Sequence, residues 1–237
     1  DLMEYGLFGL VPYWYISYIG TDAVLLYTTS YFSGGKMRVL LLSDTESKYI
    51  WDHFDAERFE DVELVISCGD LKSEYLSFVA TMIKAPVFYV HGNHDTNYEK
   101  DPPGGCDSIE DKLVVYKGLR ILGLGGSRKY SNHPLYSFPP YQYTEKEMEK
   151  RIRKLRFKLY RNKGFDILVT HAPPFGIGDG NDLCHTGFKA FLPLLDKYKP
   201  KYMFHGHMHL NYGRAKRVSQ YNGTTIVDAY GYHIIDI

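Results

Sequence analysis

The sequence predicts an α/β fold in which two stacked mixed β-sheets are flanked by helices. The first half of the chain alternates short apolar strands with helical patterns, as parallel βαβ units do. The last third carries hairpin signals instead, and hairpins add antiparallel strands to a sheet. The 237 residues are 44% hydrophobic and 24% charged, which is typical of a globular chain that can build one large core.

Three short runs rich in Val, Leu, Ile or Tyr predict the strands of the first half. They cover 37–43, 62–68 and 86–91, and each is followed by a polar motif. The segments between them predict helices around 48–58 and 74–84.

The second half of the chain combines hairpins, two further strands and two helices. Thr144 and Glu147 form the capping-box pattern that opens a long helix, with Met148, Ile152, Leu155 and Leu159 along one face. A second helix is predicted near 188–198. The predicted strands are 113–116, 120–125, 166–170, 202–205, 216–221, 224–228 and 232–237. An Asn222-Gly223 turn joins 216–221 to 224–228 in a hairpin.

Domain organisation follows from the absence of a Pro/Ser/Gly-rich linker after the first strand. Residues 37–237 are predicted to form one domain, and 1–36 an aromatic, mostly uncharged N-terminal extension. Its uncharged stretches are shorter than the roughly 20 apolar residues of a spanning helix. The acidic Asp1 and Glu4 argue against a signal peptide. We expect the extension to pack on the domain or to form an oligomer contact, and we expect no membrane span.

The net charge and the cysteines bear on the binding partners and the compartment that the sequence predicts. The net charge is zero, so nothing attracts the whole chain to nucleic acid or to a membrane. Residues 144–163 hold nine Lys/Arg and three Glu; we read this as a solvated helix face, which leaves a nucleic-acid contact open without favouring it. Cys68, Cys106 and Cys184 share no CxxC spacing, and their odd number favours the reducing cytoplasm over a disulfide scaffold.

The chemistry is concentrated in five short motifs, each placed directly after a predicted strand. Strand ends are where open α/β sheets present their functional groups. Carboxylates, an amide oxygen and imidazoles are ligands for divalent metals, and together they predict a hydrolase with two metal ions. The residues concerned are Asp44 and Glu46, Asp70, Asn93 with His94, His171, and His207 with His209.

The order of these motifs resembles the calcineurin-like metallophosphoesterase superfamily, whose pattern is D-x-H, G-D, G-N-H-D/E, H and G-H-x-H. Gly92-Asn93-His94-Asp95 and Gly206-His207-Met208-His209 carry most of the resemblance. It extends from about Met37 to the C-terminus and implies a four-layer αββα sandwich. One position departs from the pattern, because Glu46 stands where the family has histidine.

The resemblance also implies a role for each motif residue. A water trapped between the ions would be the nucleophile, and His94 would protonate the leaving oxygen or stabilise the transition state. Apart from the resemblance, the acid directly after His94 makes Asp95 a candidate to orient that ring. His207 and His209 would point the same way if the backbone between them is extended. Metal one would be held by Asp44, Glu46, Asp70 and His209, and metal two by Asp70, Asn93, His171 and His207.

Glu46 affects which metals are expected. A carboxylate in place of an imidazole adds negative charge and favours harder ions, so manganese or iron is predicted, with magnesium, zinc or nickel left open. The alternative is that Glu46 faces away and metal one is weak or absent. The remaining candidates are interpreted as structural: His91, His185, His205 and His233 as core histidines, and Asp179 and Asp182 as loop-forming residues.

The predicted function is hydrolysis of a small phosphate ester. The stretches 170–179 and 206–213 resemble a branch of small phosphodiesterases acting on cyclic nucleotides or model diesters, which favours a phosphodiesterase. A phosphomonoesterase on the same site is the first alternative. A non-catalytic interaction module on the same fold is the second, although such proteins tend to lose several ligands and here only one position differs.

Overall fold

The computed structural model describes residues 36–130, 140–209 and 216–237. The predictions for the 1–36 extension therefore lie, apart from Lys36, outside the described residues. Within the described ranges the secondary structure forms two large sheets and a two-stranded ribbon. No helix in those ranges is both long enough and apolar enough to cross a bilayer.

The first sheet has five strands: β1 (Arg38–Ser43), β2 (Leu64–Ser67), β3 (Val87–Tyr89), β4 (Cys106–Ser108) and the C-terminal β13 (Gly231–Asp236). Their order across the sheet is β13-β1-β2-β3-β4. The strands β1 to β4 run parallel, and β13 pairs antiparallel to β1. The sheet is therefore mixed, as the combination of βαβ units and a late strand predicted.

The second sheet is also mixed. Its four central strands are parallel, and an antiparallel strand closes each edge. Its order is β11-β12-β10-β9-β6-β5, and a separate ribbon pairs β7 with β8. The ranges are β5 (Leu113–Tyr116), β6 (Leu119–Leu124), β7 (Ser127–Arg128), β8 (Gln142–Tyr143), β9 (Ile167–Thr170), β10 (Tyr202–His205), β11 (Val218–Tyr221) and β12 (Thr224–Asp228).

Helices cover the outer face of each sheet. On the first sheet these are α1 (Lys48–Trp51), α2 (Ala56–Phe59) and α3 (Ser73–Met82), which bury Ile50, Phe59, Leu76 and Val79 against β1 to β3. On the second they are α4 (Glu145–Arg161) and α5 (Phe191–Tyr198), whose apolar residues pack on β6, β9 and β10.

The largest core lies between the two sheets. Side chains alternate along a strand, so β1 sends Val39 and Leu41 inward toward Phe204 of β10 and Val169 of β9. Leu40 of the same strand faces the helices instead. One buried cluster lies between the two sheets, and one more lies between each sheet and its helices. The layers therefore follow the order helix, sheet, sheet, helix.

One local prediction was wrong, and one strand was missed. The single helix expected over 48–58 is two short helices, because Asp55 interrupts it: its side chain accepts the N–H of Glu57 and starts α2. The strand β4 was not predicted, since Cys106–Ser108 has no apolar run. The capping box of α4 is confirmed, with Thr144 and Glu147 bonded reciprocally at 2.7 and 3.3 Å.

Candidate metal centre

The predicted site residues follow parallel strands of both sheets. Asp44 and Asp70 come after β1 and β2, and His171 and His207 come after β9 and β10. The carboxyl ends of these strands share one edge of the sandwich. Asn93, after β3, lies at the same edge. Strands from both sheets, far apart in the sequence, therefore supply one site.

Four of these side chains meet at a single point. One ligand atom each of Asp70, His171 and His207 lies within 4.8 Å of the others. His171 Nε2 is 3.3 Å from Asp70 Oδ2 and 3.1 Å from Asn93 Oδ1. It is also 3.1 Å from His207 Nδ1. The arrangement brings together a carboxylate, an amide oxygen and two imidazoles.

Main-chain carbonyls orient both imidazole rings. His171 Nδ1 lies 2.8 Å from the carbonyl oxygen of Cys68, and His207 Nε2 lies 2.8 Å from that of Cys184. A ring nitrogen beside a carbonyl carries the proton, so the neutral ring presents its other nitrogen as a lone pair. When both rings are neutral, as metal binding requires, both lone pairs face the cluster. This is the arrangement by which proteins orient histidine ligands of metals, and the donor set fits a divalent ion.

Asp44 supports the cluster from the end of β1. Its two carboxylate oxygens accept the N–H of His207 at 2.9 and 3.1 Å. Burial raises the pKa of Asp44, and the carboxylate of Asp70 adds to that effect. A side chain at position 206 would overlap Ser43 and the Asp44 carboxylate. Glycine is therefore required there for β10 to approach β1.

Three of the site residues occupy left-handed backbone conformations. The φ angles are 65° for Asp44, 58° for Asp70 and 67° for His207. His207 is therefore not extended, so the condition under which His207 and His209 would point the same way is not met. Because of the left-handed turn, the ring of His207 is buried in the cluster, whereas His209 is exposed and its ring centroid lies 5.3 Å from that of Tyr230.

Glu46 and His94 line a cavity of about 650 Å³ that opens beside Asp44 and Asp70. Glu46 Oε1 lies 3.3 Å from Lys72 Nζ. The His94 N–H donates to Asp70 Oδ1 at 2.7 Å, and its ring Nε2 is 4.0 Å from Asp70 Oδ2 with the side chain 74% exposed. The structure thus gathers Asp70, Asn93, His171 and His207 closely, sets Asp44 and His94 against them, and leaves Glu46 and His209 apart.

Asp95 does not orient His94. Its Oδ2 accepts the N–H groups of Gly92 and Asp70 at 2.7 and 2.9 Å, so it fixes the two loops that carry Asn93 and Asp70. Burial, together with the charge of Asp70, raises the pKa of Asp95 to about 6.

The electrostatics of the cluster are set by opposite charges in a buried place. Burial alone would lower the pKa of His171, but Asp70 and then Asp44 outweigh it and raise that pKa to about 10. Burial opposes ionisation of Asp70 too, yet His171 lowers its pKa to about 2. His207, buried beside the positive His171, has its pKa lowered to about 3 and is neutral.

Sequence reasoning missed Asp228, at the end of β12. Its side chain is buried, and its pKa is raised to about 7 by burial, with a smaller contribution from Asp44. The available signal was its position, because an aspartate that ends an apolar strand is the same pattern that singled out Asp44 and Asp70.

Comparison with known proteins decides the family. The sequence profile of the calcineurin-like phosphoesterases matches residues 37–211. The chain belongs to this family. A UPF0046 protein of Caenorhabditis elegans is 25% identical, with 82% of this chain and 75% of that protein aligned. A probable cyclic nucleotide phosphodiesterase of Xenorhabdus bovienii is 26% identical, with 67% of this chain and 69% of that protein aligned.

Structural comparison finds the same fold in another protein. A solved structure superposes with a TM-score of 0.62 at 15% identity, over 85% of this chain and 95% of the other. This likeness confirms the predicted fold class, two mixed sheets between helical layers.

Proposed function

We propose that this calcineurin-like phosphoesterase hydrolyses phosphodiesters at a centre of two divalent metal ions. The observation that carries the proposal is the convergence of four side chains on one point, Asp70, Asn93, His171 and His207. Main-chain carbonyls contact the outer nitrogens of the two imidazoles, so His171 Nε2 and His207 Nδ1 face inward. All four side chains are common ligands of divalent metals, and they come from four separate segments of the chain.

The proposed ligand assignment has two parts. One ion would be held by Asp70, Asn93, His171 and His207, whose ligand atoms are already close. The other would be held by Asp70 with Asp44, Glu46 and His209, and this requires Glu46 to leave Lys72. Metal two is therefore expected to bind more tightly than metal one. Manganese or iron is proposed for both, because four of the seven ligands offer oxygen.

Divalent ions in this site would supply charge neutralisation of the phosphoryl group and activation of a water molecule. The chain's own residues supply the rest. Asp70 is fixed by Asp95 through its N–H and accepts the N–H of His94. These contacts hold the His94 ring beside the cavity, where it can protonate the leaving oxygen.

The charges that line the cavity favour a monoanionic substrate over a dianionic one. Among the described residues that line it, Lys72 is the one Lys or Arg, while Asp44, Glu46, Asp70, Glu74, Asp95 and Asp101 are acidic. A dianionic monoester meets more repulsion from these carboxylates than a monoanionic diester. The Xenorhabdus relative, described as a probable cyclic nucleotide phosphodiesterase, agrees with a diester. A phosphomonoesterase on the same ligands is the second candidate.

The test combines metal analysis with an ester panel. Wild-type protein is measured with bis-p-nitrophenyl phosphate, p-nitrophenyl phosphate and cyclic nucleotides after loading with Mn²⁺. Asp70→Asn removes the carboxylate shared by both ions and should abolish turnover without unfolding the protein. Asp61→Asn is the matched control, since Asp61 is 80% exposed and pairs only with Arg38 among its described contacts. Normal turnover in Asp70→Asn with two bound ions would refute the assignment.

A further inference from the structure

A second group of ligating side chains lies in the loop between β9 and α5. Asp182, Cys184 and His185 each place one ligand atom within 4.8 Å of the other two. None of them belongs to the proposed catalytic ligand set, and the sequence interpretation assigned Asp182 and His185 only structural roles. The group offers three different donors: a carboxylate oxygen, a thiol sulfur and an imidazole nitrogen.

Hydrogen bonds hold this loop in shape. The His185 N–H donates to Asp182 Oδ1 at 2.9 Å, and the Thr186 N–H and hydroxyl donate to the Asp182 carbonyl at 3.0 and 2.6 Å. The Gly180 N–H donates to the His185 carbonyl at 2.9 Å. The three side chains therefore extend from a backbone that is already ordered. Binding an ion there would cost little further conformational entropy.

We propose that Asp182, Cys184 and His185 bind one borderline divalent cation, with Zn²⁺ as the natural candidate. Sulfur and nitrogen donors favour zinc over the harder ions proposed for the catalytic centre. With the thiol deprotonated, the carboxylate and thiolate together balance the charge of the ion. Three protein ligands leave a fourth position of the usual tetrahedron for water.

The proposed zinc site adjoins the catalytic centre but is distinct from it. The His185 ring centroid is 5.3 Å from that of His207, and the Cys184 carbonyl accepts from His207 Nε2. An ion bound to the Cys184 side chain would fix the carbonyl that sets the His207 tautomer. The site would thus stabilise the orientation of a catalytic-centre histidine without providing a ligand to that centre.

Cobalt distinguishes the two sites, because a thiolate bonded to Co²⁺ gives a near-ultraviolet charge-transfer band and the proposed catalytic ligands contain no sulfur. Metal-free wild-type protein is titrated with CoCl₂, alongside Cys184→Ser, Cys106→Ser and Asp70→Asn. We expect the band in wild type, its loss in Cys184→Ser, and its retention in Cys106→Ser and Asp70→Asn. His185→Gln keeps the thiol and should weaken Co²⁺ binding at this site by about tenfold or more. Losing a residue that only supports a metal ligand already costs about that much affinity.

Three outcomes overturn the inference. One is a wild type without the band, and another is an equal band in Cys184→Ser. The third is loss of the band in Asp70→Asn, because Cys184 would then be serving the catalytic centre. Phosphodiesterase activity is not the readout, so the proposed function can fail while the zinc site stands, and the reverse also holds. Circular dichroism of each variant checks its fold.

Discussion

Binding a metal ion at the cluster has to remove the proton that His171 carries in the metal-free protein. The carboxylates of Asp70 and Asp44 outweigh burial and raise the pKa of His171 to about 10. At pH 7 the ring is therefore protonated, and deprotonating it there costs about 4 kcal/mol, three pH units at about 1.4 kcal/mol each. Metal binding carries that cost, since an imidazole must be neutral to ligate.

The direction of the pH effect follows from this. The apparent affinity for the first ion should rise about tenfold per pH unit from about pH 7.5 to about 9, with one proton released per ion. His207 and Asp70 add nothing to the slope, because pKa values lowered to about 3 and about 2 leave them deprotonated throughout.

The assay is calorimetric titration of metal-free protein with Mn²⁺ in two buffers that differ in ionisation enthalpy. The difference in observed heat counts the released protons. His205→Gln is the matched control: His205 is buried at the end of β10, its pKa is lowered to about 4 by burial, and the variant should still release one proton. An affinity that does not change with pH, or heats that do not depend on the buffer, would show that His171 is neutral before metal binds.

Three further results are expected. His94→Ala should keep its metal content and lose about 10²- to 10⁴-fold in rate, with a smaller loss for esters whose leaving groups need no proton; a collapse of metal content would make His94 a ligand. Glu46→His should move the rising limb of the pH–rate profile to lower pH and shift metal preference toward zinc, whereas profiles identical to wild type would show that Glu46 does not ligate. Lys72→Met should raise KM for a diester by up to about fivefold, the scale of one exposed charge contact, and Lys72→Arg should restore it; an unchanged KM in Lys72→Met would remove Lys72 from substrate binding.

The sequence was sufficient to predict the layers of the fold and the edge of the sheets where the site residues meet. Strands such as Tyr202–His205 and Thr224–Asp228 have the predicted bounds, because apolar periodicity depends on local residues. The resemblance to a known family placed Asp70, Asn93, His171 and His207 in one group, and these are the side chains that the fold brings together.

Contacts between distant segments were beyond sequence reasoning. Nothing near Glu46 in the sequence shows that the start of α3 brings Lys72 within 3.3 Å of it. Asp95 was expected to orient its neighbour His94, but the folded loops offer two N–H groups to its carboxylate. The conformation of His207 depends on the approach of Gly206 to β1, and a tertiary contact of this kind leaves no local pattern.

The left-handed backbone conformations of Asp44, Asp70 and His207 set stability against function at this site. A non-glycine residue in this conformation costs up to about 1–2 kcal/mol relative to glycine, and the cost is smaller for aspartate, whose side chain can hydrogen-bond locally. The backbone conformation alone would therefore favour glycine at these three positions, whereas binding a metal requires their side chains. Variants recovered from a screen for heat resistance should be inspected first at these positions, because gains in melting temperature there would come at the expense of turnover.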